Sequence, residues 1–273
     1  MLWRRERLGL IYQNAGSDKK TKIKVSVYSN KVFNSDFLES LKKEIIWRFN
    51  LDLNLAEFYK DVGNDPLLSP IIKKFYGLRP MHYGSLYEYL IIGIVLQNAV
   101  VRRSVSMLQS LFERYGELFE YDSQKLWCYW EPKVLAKVDD QELRDLKVGY
   151  RAKSLIRVSE MFAKGGIDEV GLRNKTKEEQ EKVLISLYGV GPATLSYIMF
   201  DAFHHWDYLR TISPWEQKIY THIFFNKDHE KELVPVTKML KRFERWGGDG
   251  KHWLFIMCGK IFGGKEEMNT YLG

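Results

Sequence analysis

A pair of glycines, Gly189 and Gly191, lies between two apolar runs and constrains this chain more than any other feature. The first run recurs at helical spacing and consists of Leu184, Leu187 and Tyr188. Pro192 then stands where a helix tolerates proline best, at its first position. The second run also has helical spacing and consists of Leu195, Ile198, Met199 and Ala202. We therefore predict a helix, a tight glycine turn and a second helix, whose free N–H groups form a phosphate-binding arrangement.

The segment over residues 187–194, LYGVGPAT, resembles the helix-hairpin-helix signature of the HhH-GPD superfamily of DNA glycosylases. Its GVGPAT part is most similar to the branch that contains 3-methyladenine DNA glycosylase II. The resemblance implies that hairpin residues bind the DNA backbone, namely Gly189, Val190, Gly191, Ala193 and Thr194. In this superfamily a lysine in the second helix of the hairpin marks enzymes that also cleave the DNA strand. That position is Ala193 here, so the resemblance implies a monofunctional enzyme, unless Lys218 or another lysine supplies the amine.

In this superfamily a catalytic carboxylate, normally an aspartate, follows the hairpin's second helix after a loop, and Glu216 fits that position best. Glutamate therefore replaces aspartate in this chain. Breaking an N-glycosidic bond builds positive charge on the sugar, and a buried carboxylate stabilises that charge and orients water. Pro214 before Glu216 also makes an ordinary helix start, where the dipole favours an acid, so a purely structural role is the alternative. Asp207, inside the preceding loop, is the reserve candidate.

Two adjacent amides, Gln97 and Asn98, follow an apolar run over residues 86–95 that predicts a buried helix. By resemblance, one of these amides enters the DNA and fills the gap left by an extruded nucleotide, because an amide can hydrogen-bond to unpaired base edges. The alternative is a polar pair that caps a buried helix. Further along, Arg151, Lys153 and Arg157 lie on a predicted helix that leads to the hairpin, where they face either DNA or solvent.

The resemblance also implies a base pocket with aromatic walls, which prefer electron-poor alkylated bases. Tyr197 falls one helical turn after Ala193 and is the first candidate for such a wall, with a core tyrosine as the alternative. Trp215 and Trp253 are weaker candidates.

The predicted fold is mainly α with an N-terminal α+β module, followed by a two-lobed helical HhH-GPD core with the active-site cleft between the lobes. Alternation over residues 22–28 predicts a half-buried strand, residues 7–13 a second strand, and residues 36–49 an amphipathic helix. We expect a domain boundary near the Asp65–Pro66 pair, which separates an N-terminal domain (1–65) from the core (66–273), with the hairpin at 184–203. Residues 126–129 suggest a short helix.

The composition of the chain limits which partners, metals and cofactors we expect. The net charge of +7 suits a polyanionic partner, and no apolar run reaches the length of a membrane span. Two cysteines are too few for an iron–sulfur cluster, which needs four such ligands. The six histidines have no metal-ligand spacing, so we expect no metal bound by side chains and no required cofactor. The sequence leaves open whether backbone carbonyls of the hairpin bind a monovalent cation.

These features together predict a monofunctional DNA glycosylase of base excision repair that flips out and excises damaged, alkylated purines. The alternatives are an oxidised-purine glycosylase of the 8-oxoguanine type, since Asn98 also resembles the plug of that branch, and a non-catalytic DNA-binding module. The expected partner is double-stranded DNA with a damaged base, bound by a monomer. The N-terminal sequence lacks the apolar core of a signal peptide, and we expect an intracellular protein.

Overall fold

The computed structural model describes residues 1–16, 22–64, 66, 69–74, 76–82, 84–206, 208 and 212–243. Helices dominate this part of the chain, and the strands form three small antiparallel pairs. The helices are α1 (Ser35–Phe49), α2 (Ala56–Val62), α3 (Ser69–Lys74), α4 (Leu86–Leu96), α5 (Val101–Tyr115), α6 (Pro132–Leu135), α7 (Asp140–Asp145), α8 (Arg151–Ala163), α9 (Glu169–Arg173), α10 (Lys177–Ile185), α11 (Pro192–Asp201), α12 (Pro214–Phe225) and α13 (Val236–Phe243). The strands are β1 (Leu2–Trp3), β2 (Glu6–Arg7), β3 (Gly9–Asn14), β4 (Ile23–Tyr28), β5 (Glu117–Tyr121) and β6 (Gln124–Cys128). The prediction of a mainly helical chain with an N-terminal β component is confirmed.

The N-terminal strands pair as the alternation of apolar residues predicts. β3 and β4 are antiparallel, with Gly9 opposite Tyr28 and Asn14 opposite Ile23. β3 also contacts β5, and a Cβ atom at Gly9 would lie only 2.4 Å from the Tyr121 ring. A side chain at residue 9 would therefore push the two hairpins apart.

The short helix expected over residues 126–129 is wrong, because residues 126–128 belong to strand β6. β5 and β6 form a hairpin in which Tyr121 pairs with Gln124, so only Asp122 and Ser123 make the turn. Both turn residues have positive φ, 47° and 60°. A two-residue turn of this kind matches the twist of the flanking strands and closes a tight hairpin.

By contacts between residues the chain divides into two compact units, each made of several segments. Unit 1 comprises Met1–Glu44, Gly84–Leu172 and Leu187–Gly189. Unit 2 comprises Ile45–Tyr83, Arg173–Ser186 and Val190–Gly273. The predicted domain boundary at residue 65 and the predicted cleft between two lobes stay predictions.

Helix α4 lies at the centre of unit 1, as its continuous apolar sequence predicts. Leu90, Ile91, Ile94 and Val95 are completely buried, and α4 packs against α5 and α8. A capping box begins the helix, in which the Ser85 hydroxyl accepts from the Glu88 N–H and the Glu88 carboxylate accepts from the Ser85 N–H. The rigid helix places its C-terminal residue, Leu96, and the amides that follow at a defined point of unit 1.

Unit 2 has an aromatic core between α12 and α13. Its buried members are Phe58, Phe200, Ile212, Ile219, Tyr220, Phe224, Val234, Met239 and Phe243. Phe200 belongs to α11 and Tyr220 to α12, so the same cluster packs both helices. This packing holds the start of α12 in place relative to α11.

Candidate active site

The hairpin begins with a well-capped helix and a glycine in the left-handed region. Thr176 and Glu179 form a capping box at the start of α10, and α10 packs against α11. Gly189 has φ of +85°, a conformation that residues with a Cβ atom rarely adopt. A Cβ atom there would also lie 3.1 Å from the Ser154 Cβ. Gly189 therefore supplies the positive φ of this turn, which glycine adopts readily because it has no Cβ atom.

Gly191 has a different role from Gly189. Its backbone is extended, with φ of −98° and ψ of 176°, and no described residue would lie within 4 Å of a Cβ atom there. Gly191 is the N-cap of α11 and provides no side-chain cap. The space in front of it is open, so a ligand can approach the backbone closely.

The first turn of α11 leaves backbone donors available. Pro192 has no N–H, and within the described part of the chain the N–H groups of Ala193 and Thr194 have no hydrogen-bond partner. The Leu195 N–H is the first one bonded, to the Gly191 carbonyl at 2.9 Å. Ala193 is exposed, and these donors belong to the first turn of α11, the positive end of the helix dipole. Val190, between the glycines, is buried and anchors the turn.

The two predicted plug residues have separate environments. The Gln97 side-chain amide donates to the Gly189 carbonyl at 2.7 Å, so it connects the end of α4 to the hairpin. Asn98 is exposed, has φ of +48°, and donates from its amide to the Tyr150 hydroxyl at 3.2 Å. Of the two amides, Asn98 is therefore the one open to a ligand.

The three basic residues predicted near the hairpin also differ. Arg151 is only 3% exposed, and its guanidinium donates to the Gln97 carbonyl, so the prediction that it faces DNA or solvent is wrong. The Arg157 guanidinium lies 4.3 Å from the centre of the Tyr188 ring, and Tyr188 is a partly exposed hairpin residue. Lys153 is exposed. The signal in the sequence did not separate a buried arginine from two surface cations.

Glu216 is the third residue of α12, and the residue is buried, at 2% exposure. It forms a capping box with Ser213, in which the Ser213 N–H donates to Glu216 Oε2 at 2.6 Å and the Glu216 N–H donates to the Ser213 hydroxyl. The N-terminus of a helix stabilises negative charge, which favours an ionised carboxylate at this place. The structural and the catalytic interpretations of Glu216 therefore describe the same geometry.

Tyr197 is hydrogen-bonded to Glu216, a contact that the sequence does not predict. The Tyr197 hydroxyl donates to Glu216 Oε1 at 2.9 Å. Burial raises the pKa of the Tyr197 phenol above its usual value, and the Ser213 side chain opposes that shift. The phenol therefore stays protonated and available as a donor at neutral pH. Tyr197 and Glu216 come from α11 and α12, which unit 2 packs together.

Several predicted site residues lie outside the described part of the structure. They are the side chain of Trp215 and all of Asp207 and Trp253. The roles assigned to them from the sequence stay predictions. Asp201 is the last residue of α11. It comes too early in the chain to match the catalytic carboxylate of the superfamily, which follows this helix after a loop.

Groups that could bind metal are separated in the described residues. No cluster of three or more His, Cys, Asp or Glu side chains that could hold an ion occurs in that part of the chain. The His204 ring stacks on Trp47 with centroids 4.1 Å apart, and burial lowers its pKa to about 4. Within the described residues, no helix has the length and apolar composition of a membrane span. The monovalent cation that the sequence analysis leaves open at the hairpin carbonyls is not tested by these side-chain positions.

Comparison with known proteins supports the fold. No protein-family model matches the chain. The sequence is 29% identical over 189 residues to the DNA-3-methyladenine glycosylase of Bacillus subtilis, an alignment that covers 65% of this chain and 62% of that protein. It is 24% identical over 267 residues to the N-glycosylase/DNA lyase of Saccharomyces cerevisiae, covering 85% of this chain and 69% of that protein. The chain thus spans less than two thirds of the B. subtilis relative.

Solved structures of two glycosylases resemble this one closely. The 3-methyladenine DNA glycosylase of Archaeoglobus fulgidus matches with a TM-score of 0.75 and 16% identity, over 96% of this chain and 86% of that one. The 8-oxoguanine glycosylase/lyase of Clostridium acetobutylicum, in complex with double-stranded DNA, matches with a TM-score of 0.65 and 20% identity, over 92% and 82%. The chain therefore has the fold of the helix-hairpin-helix (HhH-GPD) DNA glycosylase superfamily, and the resemblance seen in the sequence is confirmed. Among its relatives by sequence is an enzyme named for 3-methyladenine.

Proposed function

We propose that this protein is a monofunctional DNA glycosylase that flips damaged, alkylated purines out of double-stranded DNA and hydrolyses their N-glycosidic bonds. The observation that carries the proposal is the buried Glu216 carboxylate at the start of α12, held by Tyr197 and Ser213. A carboxylate withdrawn from bulk water stabilises a cationic sugar more strongly than an exposed one. Relatives of the chain by sequence and by structure are named as 3-methyladenine glycosylases.

DNA is the proposed partner because, among the described residues, two N–H groups at the start of α11 have no hydrogen-bond partner and the space around Gly191 is open. A phosphate oxygen accepts such donors without regard to base sequence. The net charge of +7 adds an attraction for the duplex that salt screens. Asn98, exposed at the turn after α4, is the proposed plug that enters the space left by the flipped base.

In the proposed reaction the Glu216 carboxylate stabilises the positive charge on the sugar and activates the attacking water, and no covalent enzyme intermediate forms. As the base departs, the carboxylate stabilises the positive sugar and accepts a proton from the attacking water. A lysine amine would instead form a Schiff base with the sugar and lead to strand cleavage. Ala193 occupies the position of that lysine, which favours hydrolysis alone.

The relationship to 8-oxoguanine enzymes favours one second candidate. The C. acetobutylicum structure shares the fold, so excision of oxidised purines by the same carboxylate is the alternative. The aromatic Tyr197 beside Glu216 favours alkylated bases, because a cationic base stacks on an aromatic face through a cation–π attraction.

The test is release of bases from matched duplexes by the purified protein. DNA treated with a methylating agent and a duplex with a single 8-oxoguanine are incubated in parallel, and free bases are measured by chromatography. We expect release of 3-methyladenine from the methylated DNA and an abasic strand that breaks only after treatment with alkali. Release of 8-oxoguanine alone favours the alternative, and strand cleavage without alkali contradicts a monofunctional enzyme. Tight DNA binding with no release from either substrate indicates a non-catalytic module.

A further inference from the structure

The carboxylate of Glu216 has a hydrogen-bond donor on each of its oxygens. The Ser213 N–H holds Oε2 at 2.6 Å, and the Tyr197 hydroxyl holds Oε1 at 2.9 Å. We propose that Tyr197 is a positioning residue for the excision reaction, whose hydroxyl fixes the orientation of the Glu216 carboxylate. This inference rests on the proposed function and assigns Tyr197 a role beyond that of a base-stacking wall.

We call the two donors, the Ser213 N–H and the Tyr197 hydroxyl, the clamp. A glutamate needs this clamp more than an aspartate does. Its side chain has one more rotatable bond, and each bond adds conformations that the folded site must exclude. With the Ser213 contact alone, Oε2 is fixed while Oε1 can still rotate around it. The Tyr197 hydroxyl fixes the second oxygen and hence the plane of the carboxylate. The clamp therefore explains how this chain uses glutamate where the resemblance predicts aspartate.

The Ser213 N–H and the Tyr197 hydroxyl do not by themselves fill the acceptor sites of the carboxylate. An ionised carboxylate has about four acceptor sites on its two oxygens, and each of these donors takes one of them. Both of these donors are neutral groups, so neither cancels the negative charge as a salt bridge would. An ionised carboxylate cannot donate, so the phenol must be the donor. Burial raises the pKa of Tyr197, which keeps that donor protonated as the pH rises.

A matched pair of substitutions tests the inference. Tyr197→Phe keeps the aromatic ring and removes only the hydroxyl. Tyr220→Phe is the control, since Tyr220 lies one turn after Glu216 in α12. It removes a buried hydroxyl that has no hydrogen-bond partner among the described residues. We expect the single-turnover excision rate of Tyr197→Phe to fall about tenfold or more, because hydrogen bonds to charged groups are among the stronger ones. The rate of Tyr220→Phe should stay within about twofold of wild type.

The pH profile separates positioning from a general loss of structure. Without the phenol, the carboxylate takes up a proton more readily, because a hydrogen bond to the charged form is lost. The acid limb of the rate profile therefore moves to higher pH in Tyr197→Phe, while the affinity for duplex DNA stays unchanged. A Tyr197→Phe protein with the wild-type rate and an unmoved acid limb overturns the inference.

Glu216→Asp adds a double-mutant cycle. An aspartate is shorter by one methylene, so it cannot reach both donors at once. Glu216→Asp alone therefore loses the contact with Tyr197, and the further change Tyr197→Phe costs it little. Losses that multiply, with the same fold-change for Tyr197→Phe in both backgrounds, contradict a clamp.

A readout that needs no activity separates failure of the inference from failure of the proposed function. Carbon-13 NMR of side-chain carboxyls follows the titration of Glu216, which is assigned by its absence in Glu216→Gln. We expect its midpoint to move to higher pH in Tyr197→Phe and not in Tyr220→Phe. If the wild type releases no base from any duplex, the proposed function fails, and the NMR titration still decides the clamp. An unmoved midpoint in Tyr197→Phe overturns the clamp, whatever the activity.

Discussion

Helices α11 and α12 begin in similar ways, but the N–H groups of their first turns differ in their hydrogen-bond partners. Each helix has proline at its first position, after an extended residue, Gly191 in one case and Ser213 in the other. At Ser213 a capping box occupies the Ser213 N–H and the Glu216 N–H, with Glu216 as its acid. At Gly191 there is no side-chain cap, and the next two available N–H groups are unbonded in the described structure.

This difference shows how one physical feature can serve two tasks. A helix N-terminus attracts negative charge, whether that charge belongs to the chain or to a ligand. The start of α12 binds a carboxylate of its own chain and thereby buries and orients Glu216. The start of α11 keeps its donors open for an anion from outside, which we propose is a DNA phosphate.

Glu216→Gln should have the largest effect, on chemistry. The amide keeps the shape of the side chain, and its oxygen can still accept from the Ser213 N–H. Without the charge, we expect the single-turnover excision rate to fall about 100-fold or more while DNA affinity is maintained. Glu179→Gln is the control, since Glu179 is the same residue at the same position of the α10 capping box. Equal rates for the two variants would remove the catalytic role of Glu216.

Gly191→Asp should have the next largest effect, on binding. The extended backbone of Gly191 accepts an aspartate, whose carboxylate would cap α11 from within. We expect stability to change by no more than a few tenths of a kcal/mol. Affinity for duplexes with and without a lesion should fall about 10- to 100-fold, because the new charge repels phosphate. Filter binding at fixed salt measures this, and unchanged affinity in the folded variant contradicts a phosphate site at α11.

Gly189→Ala should act on stability rather than on the open surface. The φ of +85° is strained for alanine, and its Cβ would crowd Ser154. We expect a loss of about 1–2 kcal/mol in the free energy of unfolding, measured by urea denaturation. Gly191→Ala is the paired control and should lose less than about 0.5 kcal/mol, because its φ is ordinary and its surroundings are open. Equal losses at both glycines would show that the turn does not have the conformation described.

Ser213→Ala should have the smallest effect and sharpen the role of the α12 cap. It removes the hydroxyl that accepts from Glu216 N–H but keeps the backbone N–H that holds Oε2. We expect a loss of about 1 kcal/mol in stability and a smaller fall in excision than Tyr197→Phe causes. Thr176→Ala removes the equivalent cap from α10 and should cost similar stability with no change in excision. Thermal denaturation and single-turnover assays of both variants provide the comparison.

Local patterns in the sequence predicted the elements of this site well. The glycine hairpin, the buried α4 and the proline-started α12 each depend on residues close together in the chain. The wrong prediction at β6 has a local cause too, because the strand depends on the two-residue turn at Asp122 and Ser123, which pairs β5 with β6. That turn requires positive φ at both residues, which aspartate and serine show less clearly than Asn-Gly does.

The sequence by itself determined which residues are available for the proposed chemistry: a glycine before Pro192, an acid after Pro214 and no lysine at residue 193. Spacing along the chain is enough for these features, because capping and turn formation act over a few residues. Only the tertiary structure decided that Gln97 braces Gly189 and that Tyr197 clamps Glu216. These contacts join residues 92 and 19 positions apart, and the packing that brings such residues together leaves no periodic signal in the sequence.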